Sequence, residues 1–172
     1  MKDMWKKYDE VELTHSSVHH LMAMHELLKR NGYVRGVDIS RYLEISRSSV
    51  SITLRKLIAR GYVTEDENKF YLFTEHGEDL ISSVLSKRKI IRNFFENALY
   101  LEPETAEAEA CKIEHLLGEK TGQKLMSFMG FYLSERKTVR NFREQYETFR
   151  YECHDTENCD VCETECFFQA KP

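Results

Sequence analysis

Cys111, Glu114 and His115 stand within the run EAEACKIEHLL, residues 107–117. On an α-helix, positions i, i+3 and i+4 lie on one face, so the three side chains share a common space. They offer a thiolate sulfur, a carboxylate oxygen and an imidazole nitrogen. That mixture suits Fe²⁺, Co²⁺, Ni²⁺ or Zn²⁺ better than Mg²⁺ or Ca²⁺. Three donors from one short helix leave a metal site incomplete, so other elements must add to it. By spacing alone, a buried free cysteine beside a surface Glu-His pair is the competing reading.

A second cluster lies near the C-terminus. Cys153, Cys159, Cys162 and Cys166 follow the pattern C-x5-C-x2-C-x3-C. Four thiols this close suit a zinc site that orders a segment too small for its own core. An iron–sulfur cluster takes the same four ligands. The third reading is a tail of redox-active thiols without metal. His154 is a possible substitute ligand.

The elements that must position these residues are mostly helices. The chain has 172 residues, 41% hydrophobic and 31% charged, with 7 Gly and 2 Pro. That composition predicts a globular, helix-rich protein. No apolar stretch reaches the roughly 18–20 residues of a membrane span, and MKDMWKKYDE is too charged for a signal peptide. A cytoplasmic location and no membrane partner are therefore expected. In a reducing compartment, cysteines serve as ligands or reactive thiols rather than disulfides. The net charge of −4 conceals a segregation. Residues 27–61 hold eight Lys or Arg against two acids, whereas residues 152–166 hold six acids and no Lys or Arg. A basic module joined to an acidic one suits DNA binding coupled to sensing or assembly.

Apolar residues recur at helical spacing from Ser17 to Arg30, and Asn31-Gly32 ends that helix. A short helix is predicted over Val34 to Leu43 and a third from Arg47 to Arg60, N-capped by Ser46. Two β-prone runs, residues 62–64 and 70–73, flank a polar tip and predict a hairpin. Three helices followed by a hairpin is the order of a winged helix-turn-helix. The third helix would lie in the major groove, offering Arg47, Ser48, Ser49 and Ser51 to bases, while Arg35, Arg55 and Lys56 bind phosphates. A winged helix that binds protein instead of DNA is the alternative. Further helices are predicted over Glu78 to Leu99, Glu104 to Leu117, and in one stretch from about Thr121 to Tyr151.

The segment Ala110-Cys111-Lys112-Ile113-Glu114-His115 resembles the Ala-Cys-x-x-Glu-His signature of the diphtheria toxin repressor and manganese transport regulator (DtxR/MntR) family. These are metal-dependent transcriptional repressors. Residues 32–39, Ser48-Ser49-Val50-Ser51, Gly61-Tyr62-Val63 and Thr74-Glu75-His76-Gly77 are similar to the family's DNA-binding domain. The likeness covers about residues 15 to 150 and points to the short form without an SH3-like domain. It implies that ligands from the first helix join the metal-binding helix. Aligning Gly32-Tyr33 with the family brings His19 and Met22 to those positions, so the implied site is His19, Met22, Cys111, Glu114 and His115. His15 is a further, weaker candidate one turn earlier; His20 and His25 read as structural. Where the family has a histidine early in the long helix, this chain has Arg88, with Arg92 one turn later. A cation cannot ligate a cation, so one family-type site is expected rather than two. Glu107, where some members place another ligand, reads as a solvated acid.

The expected protein is mainly α-helical. Residues 1–77 form a winged-helix DNA-binding domain, 78–151 a helical metal-binding and dimerisation domain, and 152–172 an acidic Cys-rich tail. Its expected function is that of a homodimeric repressor of palindromic double-stranded DNA sites, switched by a divalent transition metal. Sulfur and nitrogen donors favour Fe²⁺, with Mn²⁺, Co²⁺ or Zn²⁺ as alternatives. The alternative function is iron–sulfur or thiol redox sensing through the tail. No nucleophile–base pair or phosphate loop suggests an enzyme.

Overall fold

A computed structural model of the protein describes residues 13–150. The four tail cysteines, with their zinc or iron–sulfur expectation, lie outside the described residues. The chain divides into two compact units, one reaching Tyr132 and one beginning at Leu133.

The first unit opens with helix α1, His15–Asn31. The Thr14 hydroxyl caps it by accepting from the Ser17 N–H at 3.3 Å. Gly32, at φ 77°, ends it in the left-handed region and returns its N–H to the Leu28 carbonyl. The helix is buried broadly, through Val18, Leu21, Ala23, Met24 and Leu27. His15, His19 and Met22, at i, i+4 and i+7, form a stripe that is not fully buried.

Helix α2, Gly36–Tyr42, starts later than its apolar spacing suggests. Val34 is held outside it because its carbonyl accepts from the Tyr71 N–H at 2.9 Å, tying this connection to the hairpin. Helix α3, Arg47–Ala59, begins at Ser46, whose hydroxyl accepts from the Ser49 N–H at 3.2 Å. Val50, Leu54 and Leu57 bury its inner face. Strands β1, Val63–Glu65, and β2, Tyr71–Phe73, pair antiparallel with Val63 opposite Phe73 and Glu65 opposite Tyr71. At the tip, Asp66 Oδ1 accepts from the N–H groups of Asn68 and Phe70, both at 2.8 Å. This is the predicted winged helix-turn-helix, built on one core from Leu13 to Val84.

Helix α4, Glu75–Asn97, leaves the hairpin and feeds Ile81 and Val84 into that same core. Thr74 laces the junction. Its hydroxyl donates to the Gly61 carbonyl at 2.6 Å and accepts from the Gly77 N–H at 3.0 Å. Helix α5, Pro103–Ile113, begins with proline at a position where its missing N–H costs nothing. It ends earlier than the expected Leu117. The Leu116 N–H bonds to the Ile113 carbonyl at 3.0 Å, a tighter turn that leaves Glu114 and His115 just beyond the last helical residue. Helix α6, Glu119–Tyr132, packs on α4 through Phe94, Ala98, Leu125, Met129 and Tyr132.

The single helix expected from Thr121 to Tyr151 is instead interrupted at residues 133–136. No glycine or proline marks that break. The second unit contains α7, Lys137–Thr148, whose Phe142 and Tyr146 rings stack one turn apart, 6.3 Å between centroids. Among the described residues, no helix is long and apolar enough to cross a membrane.

Candidate metal centre and DNA-reading face

The end of α5 meets the partly buried stripe of α1. His19 Nε2 lies 3.2 Å from Cys111 Sγ, joining residues 92 positions apart. His15 completes a group whose donor atoms all lie within 4.8 Å of one another: His15, His19 and Cys111. The His15 ring is 4.3 Å from that of His19 and 5.3 Å from that of His115, centroid to centroid. His115 Nδ1 is buried without a hydrogen-bond partner. Burial, reinforced by neighbouring positive charge, lowers the His19 pKa, and burial also lowers that of His115. The direction of both shifts favours the neutral form that binds metal. Burial pushes the Cys111 thiol up, opposed by the Arg88 guanidinium beside it.

Met22 and Glu114 face a different partner. Arg88 Nη1 donates to Met22 Sδ at 3.4 Å and to Glu114 Oε2 at 3.2 Å. Arg88 Nε donates to Glu107 Oε1 at 2.9 Å, and Arg92 reaches Glu107 Oε2 at 3.4 Å. Glu107, read from sequence as a solvated acid, is therefore half of an ion-paired cluster between α4 and α5. Its solvated appearance followed from spacing alone, which carries no information about a guanidinium on another helix. Glu114 is fully buried, and its Oε1 has no partner. His20 is buried with Nδ1 at 2.7 Å from the Ser16 carbonyl, a structural role.

The donors fit a divalent transition metal. Neutral imidazoles, a thiol beside one of them, and two buried orphan polar atoms (His115 Nδ1 and Glu114 Oε1) are what such an ion would satisfy.

Glu114 also supplies a pH signature. Burial, outweighing the Arg88 ion pair, pushes its carboxyl up to about 6 from 4.5. Its folded state thus binds the proton more tightly than its unfolded state. The resulting stabilisation is complete below about pH 4.5 and is lost as pH rises through about 6, a total of about 2 kcal/mol. The depressed histidines change stability in the opposite sense, so the comparison must isolate Glu114. In metal-free protein, the stability of wild type relative to Glu114→Gln should fall by about 1.5 kcal/mol between pH 4.5 and 6.5 in urea titrations. A difference that stays flat would refute the assignment.

In the winged helix, Arg47, Ser48, Ser49, Ser51, Arg55 and Lys56 are all exposed along α3. Ser46 Oγ lies 2.9 Å from Ser48 Oγ and 2.8 Å from Ser49 Oγ, a hydroxyl cluster at the helix N-terminus. Arg55 Nε donates to the Ser51 carbonyl at 3.2 Å. The Arg35 guanidinium rests over the ring of Phe70, in the tip turn of the hairpin, 4.4 Å from its centroid. Tyr33, exposed and edge-on to Phe70, extends this surface and was not singled out by sequence. A lone tyrosine after a helix-ending glycine carries no pattern by which to find it.

A winged helix followed by a helical module that returns Cys111 to His19 of α1 defines the architecture of this chain. Residues 74–141 match a family described as iron dependent repressor, metal binding and dimerisation domain, and residues 13–69 match the MarR family. An uncharacterised HTH-type transcriptional regulator of Methanocaldococcus jannaschii is 32% identical over 101 residues, covering 59% of this chain and 81% of the relative. Transcriptional regulator MntR of Escherichia coli O6:H1 is 28% identical over 96 residues, 56% of this chain and 61% of that one. The structure of the manganese regulator SloR superposes with a TM-score of 0.60 at 26% identity, over 67% of this chain and 54% of the other. This chain thus spans about three fifths of the E. coli regulator and just over half of SloR. The chain belongs to the DtxR/MntR family of metal-dependent transcriptional regulators.

Proposed function

We propose that this protein is a metal-responsive DNA-binding repressor in which the ion joins the DNA-binding domain to the helical module behind it. The observation that carries the proposal is the 3.2 Å approach of His19, on α1, to Cys111, on α5. Bound there, the metal would supply positive charge and coordination bonds linking the two helices. Val18, Leu21 and Leu27 pack α1 into the core shared with Val50, Leu54 and Leu57 of α3. Fixing α1 against α5 therefore fixes the reading helix against the module that pairs two copies. A ligand that prefers one such arrangement shifts the population toward it, and DNA affinity follows.

The homodimer and its palindromic site are part of the same proposal. Ile113, Leu116, Met126 and Phe128 are large apolar residues left exposed around the ends of α5 and on α6. They lie within the segment whose family description includes dimerisation. In a dimer, the two α3 helices would meet two half-sites in successive major grooves. Arg47, Ser48, Ser49 and Ser51 would read bases; Arg35, Arg55 and Lys56 would hold phosphates. Sulfur and imidazole donors favour Fe²⁺ over Mn²⁺. Among the relatives, the matched domain family is described as iron dependent and SloR as a manganese regulator.

The test is operator binding by anaerobically purified protein, titrated separately with Fe²⁺, Mn²⁺, Co²⁺ and Zn²⁺. Affinity that rises with metal supports the switch; affinity indifferent to every ion and to chelator overturns it. Within that assay Arg47→Ala should lose about 1–3 kcal/mol of discrimination between operator and mutated sites, with the metal response intact. Unchanged discrimination would remove Arg47 from the reading set.

A further inference from the structure

Ile52 lies in the second turn of α3, 48% exposed and outside the apolar core. Its neighbours on the helix surface, three and four residues away, are Ser48, Ser49, Arg55 and Lys56, all of them exposed. The buried face of α3 carries Val50, Leu54 and Leu57, so Ile52 stands in the middle of the opposite face. Folding gains little from an isoleucine there. It does not pack in the core, and its helix propensity is below that of Lys, Gln or Glu.

A single exposed apolar side chain needs no explanation by itself. Here, however, it is ringed by two hydroxyls and two cations, on a helix with no Asp or Glu from Arg47 to Ala59. An apolar protein surface pressed on this face would strip water from those groups without replacing their hydrogen bonds. The major groove of DNA replaces them, because phosphates accept from the cations and base edges exchange bonds with the hydroxyls. That groove also displays one apolar group, the C5-methyl of thymine. A β-branched side chain is stiff at its first torsion, so little freedom is lost when it is held against such a methyl. Arg47 and Ile52 are separated by about 7.5 Å along the helix axis, more than one base-pair step, so the two fall on different base pairs.

We infer that Ile52 is a specificity-determining residue that packs on the C5-methyl of a thymine in each half-site. The operator therefore carries a T·A pair beneath the second turn of α3. This inference deepens the DNA-reading function proposed above and rests on it.

The probes for the test are duplexes enriched from a randomised pool by the full-length protein, with Fe²⁺, Mn²⁺, Co²⁺ or Zn²⁺ and with chelator. In an enriched duplex each thymine is replaced in turn by deoxyuridine, which keeps the base pair and removes only the methyl. At one position in each half-site, the replacement should weaken wild-type binding roughly 4-fold, the effect of one buried methyl. Ile52→Ala should bind the thymine duplex at least that much more weakly and no longer distinguish thymine from deoxyuridine there. Ile52→Val should keep the distinction, and both variants should keep the guanine discrimination expected of Arg47. At the same position, wild type should prefer 5-methylcytosine to cytosine, and Ile52→Ala should not. Thermal melting of Ile52→Ala should match wild type, since the side chain lies outside the core. A wild-type protein indifferent to every methyl, or an Ile52→Ala variant as sensitive as wild type, would overturn the inference. So would an Ile52→Ala variant that alters only the mass of the protein in solution, which would mark a contact between proteins. A pool that yields no enriched duplex under any condition would remove the DNA-reading function and the role of Ile52 together. An enriched operator indifferent to the methyl would remove Ile52 alone.

Discussion

In protein carrying Cys111→Ala, operator affinity should no longer rise when metal is added. Cys111 is the donor contributed by α5 within reach of α1, so removing its sulfur disconnects the two halves of the site. Allosteric couplings of this kind commonly amount to about 1–3 kcal/mol, or roughly 5–150-fold in affinity. The variant should bind DNA at the metal-free level of wild type whether or not metal is present. Its stability should change little, because Cys111 is only partly buried and the apolar cores lie elsewhere. Fluorescence anisotropy on a labelled operator, with and without Zn²⁺, reads the effect directly. A variant that keeps the wild-type metal enhancement would show that the ion acts through some other site.

The largest expected loss of stability comes from a residue remote from metal and DNA. Gly77 lies in the first turn of α4, where a Cβ would sit 2.0 Å from the Tyr62 carbonyl oxygen and 3.2 Å from the Phe73 ring. The obstacle is backbone, already engaged by the Thr74 N–H at 3.1 Å, so it cannot swing aside like a side chain. Gly77→Ala must pry the start of α4 away from the hairpin and loosen the Thr74 lacing. The expected cost is about 3 kcal/mol or more, or roughly 10 °C in melting temperature. Scanning calorimetry of the metal-free protein measures it. A loss below about 1 kcal/mol would mean that the junction relaxes freely and does not hold α4 against the wing.

Local signals carried much of this fold into the sequence. The α1 spacing, its glycine stop, the Ser46 cap and the two β-prone runs each reflect interactions within a few residues, and the winged helix follows from them. The break at residues 133–136 has no such local signal. The early end of α5 turns on a tightened bond between Leu116 and Ile113 that spacing does not encode. For the candidate centre, Cys111 was legible from its motif and His19 from resemblance, and the structure places the two 3.2 Å apart. The role of Arg88 was half legible. Its charge marked it as unable to bind metal, but its hold on Met22, Glu114 and Glu107 depends on helices 66, 26 and 19 residues distant meeting in space. His15 had the correct spacing from His19 throughout. What spacing could not supply was the approach of that pair to Cys111 on another helix.

Arg88 has a consequence for how completely such a protein can be switched off. A chelator strips an ion from its ligands but cannot strip a guanidinium from Met22, Glu107 and Glu114. One clasp between α1, α4 and α5 is therefore independent of metal. In the proposed switch, Arg88 would set the floor of occupancy at the operator and the metal the ceiling. The breadth of the response would then be the gap between a permanent cation and an exchangeable one.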